Sequence, residues 1–243
     1  MYETTTREVT FPGGGGEQQA WISTPTEPGR YPAIIMFHGR NGVNDAFKSV
    51  GMRYAEEGIA GMAVNYFTQS NSPTNVQSLE TIEGAFKLLK REPSVDLSRM
   101  VMSGYCKGGG LTYLGLANEP GFAAGVVYHG GLFVQEKSKG FPESPADAAL
   151  RIDVPLIILH GMSDPAVKIE SVYELSRTLN ELGKHVELKA YWGTRHAFTL
   201  PGGSDYVPEH ADDAFREAVL FIRRTFGLPL GTVGPLGPQS AGV

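Results

Sequence analysis

The sequence predicts an α/β fold in which a mainly parallel central sheet carries helices on both faces. Three observations predict it. Short apolar runs alternate with longer amphipathic stretches from about residue 32 to residue 226, the pattern of strands joined by crossover helices. The runs are apolar at nearly every position, as strands buried on both faces are. The chain's only cysteine stands in a glycine-framed junction between one such run and the helix that follows.

The elements follow in order. Glu8–Phe11 and Gln19–Ile22 alternate in polarity around Pro12-Gly13-Gly14-Gly15-Gly16, which reads as a hairpin-like pair with a glycine turn. No Lys-Ser or Lys-Thr follows those glycines, so a phosphate loop is not indicated. Pro32–Phe37 is a buried strand, residues Asn44–Glu57 a helix, and Ala60–Val64 the next strand. Val76–Arg91 is helical, with Leu79, Ile82, Phe86 and Leu89 on one stripe. Arg99–Met102 is a strand and Leu111–Ala117 a helix. Strands at Phe122–Tyr128, Pro155–Leu159 and Val186–Tyr191 alternate with helices at Ile169–Leu182 and Pro208–Phe226. Residues 1–226 read as one domain, and 227–243 as a Gly/Pro-rich tail that cannot be regular structure.

Composition sets the class. Of 243 residues 41% are hydrophobic, enough for a sizeable core. The net charge of −5 and the lack of a basic patch argue against nucleic acid. No apolar run is long enough to span a membrane, and the first residues carry no signal-peptide core. One cysteine excludes an internal disulfide and fits the cytoplasm. No two histidines stand at i, i+3 or i, i+4, so no metal is expected, and no cofactor-binding glycine pattern is present.

Gly104-Tyr105-Cys106-Lys107-Gly108-Gly109 carries the chemistry. A lone cysteine is ordinarily a small buried hydrophobe. Here it has glycines at −2 and +2, a strand before it and a helix after it. That is the nucleophile elbow of α/β-hydrolases with Cys in place of Ser. The helix N-terminus favours a thiolate. The base and acid should follow in the order acid, then histidine. Asp164 lies just past the strand Pro155–Leu159, and His196 just past Val186–Tyr191. Taken singly, Asp164 could be a helix cap near Ala166, and His196 a loop histidine. Together with the elbow they read as a triad. His185 falls in a turn, His210 is expected in solvent at the start of the last helix, and His129 precedes Asp164.

Developing oxyanion charge needs fixed N–H donors. Lys107, directly after the nucleophile, should supply one, and Arg40 in the loop after Phe37 the other. His38 is expected to hold that loop rather than to act as the base. Phe67, His129, Phe133, Trp192, Arg195 and Phe198 lie near strand ends and are candidates for a substrate pocket, with core positions the competing reading for the aromatics.

On these residues the chain resembles the dienelactone hydrolase family of α/β-hydrolases from about Trp21 to Phe226. The marks are the Cys106 elbow, the His160-Gly161-Met162-Ser163-Asp164 loop, Gly42-Val43-Asn44 and His196-Ala197-Phe198. The resemblance implies Cys106, Asp164 and His196 as the triad. It also implies hydrolysis of a small ester or lactone through a thioester. The family's glutamate near the cysteine corresponds to Gly39, and its two carboxylate-holding arginines to Thr68 and Leu200. A neutral substrate is therefore expected in preference to dienelactone itself. The alternatives are the same triad acting on a phosphotriester or thioester, and a non-hydrolytic thiol redox or binding protein. The lack of a resolving cysteine weighs against the last.

Overall fold

The computed structural model describes residues 1–132, 143–201, 203–231 and 233. Its centre is an eight-stranded sheet in the order β1-β2-β4-β3-β5-β6-β7-β8. β1 (Thr4–Gly13) and β2 (Gly16–Pro25) form the expected hairpin. Both strands are longer than their polarity pattern indicated. Gly13 pairs with Gly16, so the turn shrinks to Gly14 and Gly15. β2 lies antiparallel to β4 (Ala60–Asn65). The remaining neighbours, β4, β3 (Tyr31–Phe37), β5 (Val95–Tyr105), β6 (Ala124–Tyr128), β7 (Leu156–Gly161) and β8 (Val186–Tyr191), are all parallel.

Alternation along each strand divides the core between the two faces. In β3, Ile34 and Met36 pack with α1 (Asp45–Glu56) and α6 (Pro208–Thr225). Ala33, Ile35 and Phe37 pack with α2 (Asn75–Leu89) and α3 (Lys107–Asn118) on the other face. α5 (Ile169–Glu181) extends that second layer over β6 and β7 through Val172, Leu175 and Leu179. Helix starts follow capping chemistry. Asn44 Oδ1 accepts from the Phe47 N–H at 2.9 Å, and Thr74 with Gln77 forms a reciprocal box. α4 (Pro145–Ala149) was not expected. Its five residues are too few to show a helical period, and its only sequence signal is the cap at Ser144 with Pro145 after it.

β3, β5, β6, β7 and β8 all run the same way, so their carboxyl ends open onto one edge, where ligands bind in such sheets. The first residues of the tail dock on the body. Arg223 donates to the Leu230 carbonyl at 2.9 Å and to Glu57 at 2.8 Å, and Val233 packs against the α1/α6 core. No helix among the described residues is long and apolar enough to cross a membrane.

Candidate active site

β5 ends at Tyr105 and α3 begins at Lys107, so Cys106 alone turns the chain from strand to helix. Its backbone sits at φ 55°, ψ −112°, which costs a non-glycine residue about 1–3 kcal/mol. Backbone bonds hold it there. Its N–H donates to Tyr128 at 3.1 Å, and its carbonyl accepts from Gly110 at 3.2 Å and Gly131 at 3.0 Å. Both framing glycines are sterically required. A Cβ at Gly104 would stand 2.0 Å from the Gly108 carbonyl oxygen, and one at Gly108 would stand 2.1 Å from that of Phe37.

Asp164 and His196 arrive from the two neighbouring strand ends. The His196 Nδ1–H donates to Asp164 Oδ2 at 2.6 Å, and the imidazole is near enough to Cys106 to favour its thiolate. Asp164 does both things the sequence allowed. Its Oδ1 accepts from the Ala166 and Val167 N–H groups at 2.8 and 3.0 Å, which fixes the turn, while its Oδ2 orients the imidazole. The helix itself starts later, at Ile169. The N–H groups of Lys107 and Arg40, the expected oxyanion donors, are near enough to the sulfur to favour its anion. Gly39 lies directly over Cys106. A Cβ there would be 3.2 Å from Cys106 Cβ and 3.9 Å from Sγ.

The electrostatics follow from these contacts. Burial pushes the Cys106 thiol up, but the bond and charge of His196, with the Lys107 and Arg40 N–H groups, outweigh it and hold the thiol below its ordinary value. Burial alone would lower His196, but its bonds to Asp164 and Cys106 push it up to about 10. Burial raises Asp164, and the His196 bond with the Val167 and Ala166 N–H groups more than reverses that. These shifts run in the directions that favour a thiolate–imidazolium pair. The pH dependence follows in sign. A lowered thiol pKa keeps the anion present as pH falls, until the pH drops below that value. Iodoacetamide alkylation of Cys106 is expected to inflect below the free-thiol value of about 8.5. An inflection at or above it would show that the pair does not form.

Two further histidines crowd this carboxylate, and the sequence reading did not place them there. His160 Nε2 lies 3.6 Å from Asp164 Oδ2 but donates to the Val167 carbonyl at 2.8 Å. His129 is 1% exposed, its ring 5.0 Å from that of His196, with Nε2 3.0 Å from Thr199 Oγ1. Burial holds both below the ordinary histidine value, with the His196 charge adding to it. Of the three histidines only His196 is raised. His129 thus backs the catalytic candidate from inside the protein and does not line an open pocket. His210 is not free in solvent as expected. It is hydrogen-bonded to Thr194 and packs on Tyr191, bracing the loop that carries His196.

The other pocket candidates divide. Phe67 is half-buried beside the site, 4.6 Å from the His38 ring, with the Lys107 ammonium 5.1 Å from its centre. Phe198 is fully buried against Tyr191 and His129 and belongs to the core. Trp192 is 83% exposed and points away, because Tyr191 before it takes the inward position. Arg195 is held by Asp205 at 3.1 Å. Phe133 lies outside the described residues. The Thr68 hydroxyl is occupied by the Asn65 carbonyl and the Gln19 N–H, and Leu200 packs on the core, so neither place offers a cation.

A largely parallel sheet with its nucleophile on a strand-to-helix elbow, and acid and histidine at successive strand ends, defines the α/β-hydrolase fold. The solved structures agree. One from Klebsiella pneumoniae, provisionally titled a dienelactone hydrolase, superposes with a TM-score of 0.83 at 23% identity, covering 91% of this chain and 99% of that one. A dienelactone hydrolase-like promiscuous phosphotriesterase from metagenomic libraries superposes at 0.78 with 20% identity, over 91% and 98%. In sequence, a Methylorubrum extorquens protein with the provisional name carboxymethylenebutenolidase is 26% identical, over 89% of this chain and 80% of its own. A Bradyrhizobium protein provisionally named as a 2-oxo-3-(5-oxofuran-2-ylidene)propanoate lactonase is 24% identical, over 91% and 95%. Residues 19–226 match the sequence profile of the dienelactone hydrolase family, and the chain belongs to that family. It is a dienelactone hydrolase-like hydrolase.

Proposed function

We propose that this enzyme hydrolyses small esters or lactones through an acyl-thioester on Cys106. The observation that carries the reading is the convergence of His196 and the two N–H donors of Lys107 and Arg40 on one sulfur held out by the elbow. The thiolate attacks the carbonyl carbon, and the carbonyl oxygen takes the two N–H groups as it gains charge. His196 gives its proton to the leaving alkoxide. Now neutral, and held by Asp164, it takes a proton from water, which attacks the thioester and releases the acid. One reduced thiol suits a reducing compartment such as the cytoplasm. Burst release of p-nitrophenol, with an acyl mass increment on Cys106, tests the intermediate. Turnover with no burst and no increment, even in rapid acid quench, would remove it. Including a phosphotriester in the same panel tests the alternative electrophile.

Substrate charge follows from the site's cations. A carboxylate in a half-buried pocket needs shaped donors, and arginine is the best of them. Thr68 and Leu200 provide none, and Arg195 is spent on Asp205. A carboxylate against Leu200 would lose hydration with nothing in return. The kcat/KM for a methyl ester is expected to exceed that for the matching free acid. A preference for the acid that disappears in Arg40→Ala would reverse the conclusion and make Arg40 the anchor.

A further inference from the structure

His38 lies outside the proposed chemistry, yet it is fully buried one residue from the oxyanion loop. Its Nδ1 is 2.6 Å from the Gly39 carbonyl oxygen, so Nδ1 carries the hydrogen and donates. Nε2 makes no hydrogen bond of ordinary geometry among the described residues, with the Asn65 side chain near enough to favour the charged ring. Burial first, opposed by the Gly39 carbonyl and the Asn65 side chain, lowers the imidazole to about 4, so it is neutral at working pH. The ring cannot swing. It stacks on Tyr66 at 4.3 Å and meets Phe67 edge-on at 4.6 Å. The Tyr66 hydroxyl donates to the His38 carbonyl at 3.1 Å and fixes the preceding peptide.

The Gly39 carbonyl and the Arg40 N–H belong to one planar trans peptide unit. In such a unit the C=O and N–H point in opposite directions. Whatever fixes the oxygen fixes the hydrogen. Apart from His38, the Gly39 oxygen has, among the described residues, only the long Gly42 N–H contact at 3.4 Å. Gly39 itself carries no side chain to stiffen the unit.

We infer that His38 is a positioning residue that locks the Gly39–Arg40 peptide so that the Arg40 N–H faces the reacting carbonyl oxygen. It acts through that N–H and touches neither substrate nor nucleophile. The inference rests on Cys106 being the nucleophile.

The test uses the reach of two amides. The asparagine Nδ2 lies as many bonds from Cα as the histidine Nδ1, whereas the glutamine Nε2 matches Nε2. His38→Asn therefore restores the donor to the Gly39 oxygen, and His38→Gln does not. With p-nitrophenyl acetate and the whole chain, kcat of His38→Asn is expected within about threefold of the unsubstituted enzyme. That of His38→Gln should fall about 10²-fold, the scale of losing one oxyanion donor, with KM little changed. Equal kcat in the two variants, whether both high or both low, would overturn the role of His38. A Cys106→Ala control separates the readings. Hydrolysis surviving there overturns the nucleophile and His38's role with it. Equality of the Asn and Gln variants with Cys106→Ala inactive overturns His38 alone.

Discussion

Cys106→Ala is expected to lose essentially all turnover, on the order of 10⁴-fold or more, while the chain stays folded. Among the described residues, the Cys106 sulfur is the proposed nucleophile, and His196 with the Lys107 and Arg40 N–H groups all favour its anion. Alanine keeps the Cβ, so the elbow and its bonds to Tyr128, Gly110 and Gly131 remain. Circular dichroism and the melting temperature check folding, and p-nitrophenyl ester hydrolysis checks chemistry. A folded variant with more than about a tenth of the original kcat would mean that water, not the thiol, attacks the substrate.

His196→Ala should cost about 10³–10⁴-fold in kcat, and Asp164→Asn less than that. The first variant removes both the proton donor for the leaving group and the base for water. The second leaves an imidazole in place but weakens its hold. An amide can still accept from the Ala166 and Val167 N–H groups through its oxygen. Its NH₂ then faces the His196 Nδ1–H, so the imidazole must change tautomer or turn. The pH profile separates the two. Asp164→Asn should lower the histidine's raised pKa, since the carboxylate is a main support of the imidazolium. If His129→Ala or His38→Ala costs more than His196→Ala, the base has been misplaced.

The proposed triad has short-range signals in the sequence, and the structure brings Asp164 and His196 together at 2.6 Å. Two glycines about one cysteine mark a turn with no room for a Cβ, and an Asp and a His just past apolar runs mark strand ends. Arg40 and Lys107 are proposed as donors by the same logic. The pocket could not be read so well. An aromatic near a strand end packs inward or outward according to one residue of register. Tyr191, the last residue of β8, turns in, so Trp192 turns out, and the period of two along the strand was a usable signal for this. Phe198 went to the core because Ala197, at φ 58°, bends the loop back on itself, which no pattern in the sequence announces. His129, read as a pocket candidate, packs behind His196 because β6 lies beside β7 in the sheet, whereas His160 nears Asp164 locally, four residues before it. Pairing of distant strands is a property of the whole sheet.

Among the described residues three non-glycine positions have positive φ, namely Cys106, His129 and Ala197. Cys106 and His129 directly follow strand ends, and Ala197 directly follows His196 at the site. Such backbones persist only while their surroundings over-determine them. Here the surroundings are the sheet: Cys106 N–H is tied to Tyr128, and His129 N–H to Leu159. The consequence concerns the order of loss. As the protein is loosened, these residues should relax to ordinary conformations before the strands part, by local opening. Ester hydrolysis would then fail at a urea concentration where far-ultraviolet circular dichroism is still native. Coincident curves would mean that the edge bearing the site and the body of the sheet melt as one unit. Activity would then be as sturdy as the fold that carries it.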